Sequence, residues 1–247
     1  MEVHHPHGLH HKKNWKEYLT EFLMLFLAVT LGFFVENYRE HHVERNREKE
    51  FLRQILQDVD MDLRLIETNI GYRNIRAGIC EELTRMFQRK EYLTRTGPFY
   101  LQARRINVRY YFERSDAGFQ QLKNAGGLRL IHNNAIVAAI QRYDQTVATI
   151  GKFQDSEIVA NVEYRNASAL VLDAQVVVTM NARKVSNYDA FIEPPGDPRL
   201  HSYDGDRLNS MMSAVHSIDR INHVVMHFEE ALKADAAELK AAILASL

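Results

Sequence analysis

FLMLFLAVTLGFFV, residues Phe22–Val35, is a run of fourteen residues without a charge, and no other part of the 247-residue chain matches it. As a helix it spans about 21 Å, short of the roughly 30 Å hydrocarbon core of a bilayer. The flanks supply the missing length. Leu19, Thr20 and Glu21 extend it on the N-terminal side, where a carboxylate can reach the headgroups. Trp15 and Tyr18 stand at one end and Tyr38 at the other, as an interfacial aromatic belt requires. Lys12, Lys13 and Lys16 are long enough to snorkel. Ala28 and Gly32 form a small-xxx-small pair on one helical face, with Thr30 nearby, so two such helices can approach closely. The segment reads as a membrane anchor over residues 14–38. A buried core helix is the competing reading on length alone. A secretory signal peptide fits less well, because the run continues into ENYREHHVERNREKE with no small-residue cleavage site.

Working outward, residues 1–13, MEVHHPHGLHHKK, read as a disordered His-rich tail. On the other side, residues 39–70 read as a stalk that becomes a coiled-coil helix. Its first part is polar on every side, with Glu36–Arg39 and Glu44–Arg47 at ion-pair spacing. Its second part carries Leu52, Leu56, Val59, Leu63, Ile66 and Ile70 at alternating steps of four and three, the stripe of a coiled-coil seam or of a bundle helix. Gly71 and Gly78 predict a weakened helix, with a turn or kink near Gly71.

Residues 71–181 read as a helical bundle. TRTGPF, residues 94–99, predicts a break at Pro98. Ile106, Val108, Tyr110 and Phe112 alternate like a strand. The nearby Arg104, Arg105, Arg109 and Arg114 with Tyr110 and Tyr111 suggest either a basic patch or a loop whose aromatics pack inward. A net charge of −1 argues against a general grip on nucleic acid. Ser115 predicts an N-cap for a short helix over 116–124, ended by Gly126 and Gly127. Ile136, Ile140, Tyr143, Val147 and Ile150 start a long helix toward Val178 with one weak point.

Residues 182–206 form a Pro/Gly-rich loop and a candidate contact surface. Its Asp197, Asp204 and Asp206 do not have calcium-loop spacing and read as turn formers. Residues 207–247 predict a C-terminal helix on the bundle. There His216, His223 and His227 share a face, and the last two lie one turn apart, which suggests a metal or pH-sensing site.

The string WKEYLTEFLMLFLAVTLGFFVENYREH, together with FQQLKNAGGLRLIHNNAIVAAIQRYD, resembles an uncharacterised family of bacterial membrane proteins of unknown function. That resemblance implies a single N-terminal span and a helical body, and assigns no activity.

The fold expected is all-α: a transmembrane helix continuing into a stalk, then an antiparallel helical bundle with coiled-coil-like stripes. Neither GxxxxGK, GxGxxG, GxSxG nor HExxH occurs, and the single Cys80 permits no CxxC. The function expected is therefore non-catalytic and without a cofactor: a self-associating scaffold or assembly subunit of a bacterial envelope complex. Its partners are the lipid bilayer, copies of itself and an envelope protein. The place expected is the inner membrane, with the body outside the cytoplasm. The alternative is an oligomeric cation channel. Glu21 and Glu36, about 22 Å apart along a helix, would form its two acidic collars.

Overall fold

The computed structural model describes residues 14–124, 126–181 and 190–247, so the His-rich tail and the first part of the Pro/Gly-rich loop lie outside the described residues. Among the described residues there are six α-helices: α1 Trp15–Gln88, α2 Thr96–Arg105, α3 Ala117–Asn124, α4 Asn134–Ala169, α5 Ala174–Thr179 and α6 Gly205–Leu244. The expected all-α class is what is found. The region read as strand-like forms no strand: Ile106 keeps helical φ and ψ, a turn follows, and residues 108–112 have no regular structure. Among the described residues the one β-like pairing is an isolated bridge between Asn181 and Phe191.

The chain forms two units, dividing between Glu50 and Phe51. The first unit is the N-terminal part of α1. The second holds the rest of α1 and everything after it, so residues 51–70 belong to the body rather than to a stalk. Gly71 and Gly78 do not interrupt α1. Both are exposed, and the buried stripe that flanks them, from Leu52 through Ile66 to Leu83, outweighs their low helix propensity. The helix stops where Lys90 takes a left-handed φ of 57°.

In the body, α6 runs antiparallel to both long neighbours. Lys233 reaches Glu67 and Lys240 reaches Asp60 on α1. Arg142 and Thr146 of α4 meet Glu238 and Asp235. By contrast, α1 and α4 run parallel, since Asp62 meets Tyr143 while Arg76 meets Glu157 and Asn161 further along both. Two parallel helices need a crossover, and residues 89–133 provide it. Helix α2 packs Phe99, Tyr100 and Ala103 near Leu83 and Met86. Residues 106–116 then return along α1, and α3 packs Phe119 and Leu122 near Leu52 and Ile55.

Pro98 does not break this crossover; it sits in the first turn of α2, where a missing N–H costs no helical hydrogen bond. Asp197 accepts from Gly97 N–H at 3.0 Å, capping α2 from a distant part of the chain. A Cβ on Gly97 would stand 2.7 Å from Gly196 O, so the loop lies directly on this turn. Asp204 caps α6 through Arg207 N–H. These two aspartates therefore serve as caps, and Tyr100 bridges Arg199 O and Asp173 N–H. Helix α4 ends at Ala169, earlier than the expected reach toward Val178.

Candidate functional site

The first unit is where the sequence placed the anchor, belt and collar residues. Every residue from Phe22 to Val35 except Thr30 is exposed, including Leu25 at 68%, Phe33 at 67% and Val35 at 66%. This is the one helix among those described that is long and apolar enough to cross a membrane. Its polar atoms are used up internally: Thr30 Oγ1 donates to Phe26 O at 2.7 Å, and Thr20 Oγ1 to Lys16 O at 2.9 Å. Ala28 and Gly32 are exposed on one face, and a Cβ built on Gly32 meets nothing within 4 Å. Trp15, Tyr18 and Tyr38 are exposed at 70%, 60% and 76%. The collar reading fares less well. Glu36 is matched by Arg39 through both carboxylate oxygens, so its charge is already answered on its own helix. Glu21 is also engaged.

The stripe Leu52, Leu56, Val59, Leu63, Ile66 and Ile70 is spent within the body. Leu52, Val59 and Ile66 are fully buried, and the other three pack against the same cluster. It is a bundle face rather than a free coiled-coil seam. His216, His223 and His227 are all exposed and do not converge. His223 Nε2 lies 3.5 Å from Asp219 Oδ1, and His227 sits edge-on to Phe228. Among the described residues no three His, Cys, Asp or Glu side chains form a metal-binding group, so the proposed His site is not formed.

Two apolar clusters fill the body. One gathers Leu83, Phe99, Tyr164, Met211 and Ile218; the other gathers Leu52, Ile66, Tyr143, Ile150, Val225 and Leu239. Between them lies a buried polar layer that the sequence reading missed. It contains Asn69, Arg73, Arg76, Glu157, Asn161, Asn222 and Glu229, each 2% exposed or less. Arg73 Nε donates to Glu229 Oε2 at 3.0 Å, Nη1 to Glu157 Oε2 at 3.2 Å and to Asn222 Oδ1 at 3.3 Å, and Nη2 to Tyr110 O at 3.3 Å. Arg76 donates to Glu157 Oε1, to Asn161 Oδ1 at 2.7 Å and to Ile106 O at 3.2 Å. Asn222 Nδ2 and Asn161 Nδ2 donate to the carbonyls of Arg73 and Glu157. Two buried guanidiniums thus face two buried carboxyls, the balance that keeps such a layer tolerable.

The layer also holds the crossover. Carbonyls of Ile106 and Tyr110 are the acceptors just named. Gln154, oriented as its neighbours require, accepts from Phe112 N–H at 2.6 Å and donates to Phe112 O at 3.3 Å. Further along, Asp62 accepts from Ser115 N–H at 2.6 Å and Asp58 from Gly118 N–H at 2.7 Å. Ser115 is therefore held by Asp62, and the start of α3 is capped by Asp58 from α1. Tyr110 stacks on Tyr72 at 3.5 Å between centroids, Arg114 pairs with Asp144, and Arg109 lies over Tyr111. The arginine-rich stretch is a strap packed on the bundle, not a basic patch.

Within the layer Glu229 is the odd member. Its Oε1 and the Asn69 amide nitrogen are both buried without a hydrogen bond within 3.5 Å. Burial pushes the Glu229 carboxyl up to about 7 despite the Arg73 charge beside it, which pulls the other way. Burial also raises Asp62, against the hydrogen bonds from Tyr143 and Ser115. The lone Cys80 is buried, and its thiol is pushed up to about 12, so it is a packing residue rather than a nucleophile. What this arrangement can do chemically is fix the register of three helices and a strap, and take up one proton at Glu229.

Comparison with known proteins finds no matching family model, no matching curated protein and no matching solved structure.

Proposed function

We propose that this chain is a membrane-anchored helical scaffold: residues 14–38 lie in a bilayer, and the body is an assembly module without catalysis. The single observation that carries this reading is the exposure of Phe22–Val35. A contiguous apolar surface of that length has no core to enter within its own unit, and apolar surface of this extent marks a lipid or protein contact. Satisfied threonine hydroxyls and aromatic ends are what lipid demands of a helix. The proposal extends to the uncharacterised single-pass family that the two quoted strings resemble, and to a bacterial inner membrane with the body outside the cytoplasm.

Self-association falls to the Ala28/Gly32 face, because the Leu52–Ile70 stripe is already buried within the body. The cation-channel alternative gains no support from collars whose carboxylates are paired or engaged. The mass of the detergent-extracted complex tests the assignment. A defined oligomer that falls to a monomer in Gly32→Ile supports it. A monomer of the wild-type chain, or an oligomer indifferent to that change, removes the self-associating part.

A further inference from the structure

One cavity in the body joins positive charge to an apolar wall. Its volume is about 240 Å³, and Arg104, Asn107, Arg165, Ser168, Leu172 and Val177 line it, where the end of α2 meets the end of α4 and α5. Arg104 is half-buried and lies over the Phe191 ring at 4.9 Å. Its Nε is buried without a hydrogen bond, and so is Asn107 Oδ1. Among the described residues neither Arg104 nor Arg165 makes an ion pair. The body's two buried guanidiniums, Arg73 and Arg76, are by contrast answered by the carboxylates of Glu157 and Glu229. A half-buried guanidinium with no counter-charge is disfavoured, and burial indeed holds Arg104 below the usual guanidinium range. Water filling the cavity would satisfy hydrogen bonds but not charge.

We propose that this cavity binds a small organic anion, its carboxylate or phosphate held by Arg104 and Arg165 and its short apolar body set against Leu172 and Val177. Arginine suits both head groups, since its planar fork donates in parallel to two oxygens. The volume lies below the roughly 300–1,000 Å³ of drug-sized sites, which limits the ligand to a small one. The proposal stands apart from the membrane reading, because every residue in it belongs to the body.

Calorimetric titration of the full-length protein in detergent tests it, with hexanoate, inorganic phosphate and hexanol as probes. Hexanoate, phosphate or both bind with a Kd below about 1 mM, while uncharged hexanol does not. Whichever anion binds more tightly identifies the head group. Arg165→Gln changes an exposed side chain, so the fold survives, and it weakens anion binding at least tenfold. Val177→Glu places a carboxylate in the cavity and abolishes binding. No heat from either anion, hexanol binding equal to hexanoate, or anion binding unchanged in Arg165→Gln overturns the proposal.

Discussion

Residues 22–35 and residues 66–80 are both parts of α1, and they handle polarity in opposite ways. The first stretch is apolar all round and exposed, and its one interior hydroxyl is tied to its own backbone. The second alternates buried Ile66, Ile79 and Cys80 with buried Asn69, Arg73 and Arg76. A helix can afford buried charge only where neighbouring helices return the opposite charge with hydrogen bonds, and α4 and α6 do so through Glu157 and Glu229. A helix with apolar side chains on every face has no inside of its own. The proposed bilayer would give the first stretch an apolar solvent, while the second finds its partners within the body.

The comparison can be broken most forcefully at Glu157, which meets both arginines. Glu157→Gln leaves a buried positive charge unanswered and lowers stability by about 3–5 kcal/mol, measured by denaturant unfolding of the detergent-extracted protein. If the change costs less than about 1 kcal/mol, the two arginines are not held by a matched network.

A somewhat smaller effect is expected from pH. The folded-state pKa of Glu229, about 7, lies above its ordinary 4.5, so folding takes up a proton between these values. Stability contributed by this group is present in full below about pH 4.5 and is lost as pH rises through about 7. The difference is on the order of 3 kcal/mol, and Asp62 acts in the same direction. Glu229→Gln flattens the Glu229 part of this slope in unfolding measured from pH 5 to pH 8. An equally steep slope in the variant means that the proton goes elsewhere.

Two sets of glycines sharpen the contrast between tight and open sites. A Cβ on Gly118 would stand 2.8 Å from the backbone of Gln54 and Ile55, so Gly118→Ala forces α3 off α1 and costs about 1–3 kcal/mol. Gly71 and Gly78 meet nothing within 4 Å, so Gly71→Ala and Gly78→Ala each add about 1 kcal/mol through helix propensity. Thermal unfolding of the single variants reads both signs.

Much of this was legible in the sequence because it is local. Periodicity marked the helices from Leu52 onward and from Ile136 onward, and placed the last one, read as 207–247, within three residues of its observed ends at Gly205 and Leu244. Charge-free length marked Phe22–Val35. The polar layer was not legible in the same way, because its partners are far apart in the chain and no local spacing links Arg73 to Glu229. A signal was nonetheless present. Leu52, Val59, Ile66, Arg73 and Cys80 are successive sevens on α1. So are Ile136, Tyr143, Ile150, Glu157 and Tyr164 on α4, and Val215, Asn222, Glu229, Ala236 and Ile243 on α6. Each stripe carries a charged residue on its own buried register, which is the sequence mark of a matched interior layer. The parallel pairing of α1 and α4 was hidden for another reason. It depends on the strap at 106–116, whose Ile106, Val108, Tyr110 and Phe112 alternate as a strand would, yet whose hydrogen bonds go to side chains of the bundle.

The most direct test asks which solvent surrounds Phe22–Val35. Full-length protein mixed with liposomes and spun through a density gradient should float with the lipid and resist a high-salt wash. Leu25→Arg combined with Val29→Arg, each costing about 2.5–3.5 kcal/mol at a span centre, should stay at the bottom with its body still folded. A wild-type chain that remains in the supernatant after lysis without detergent, as a single folded monomer, would contradict the account.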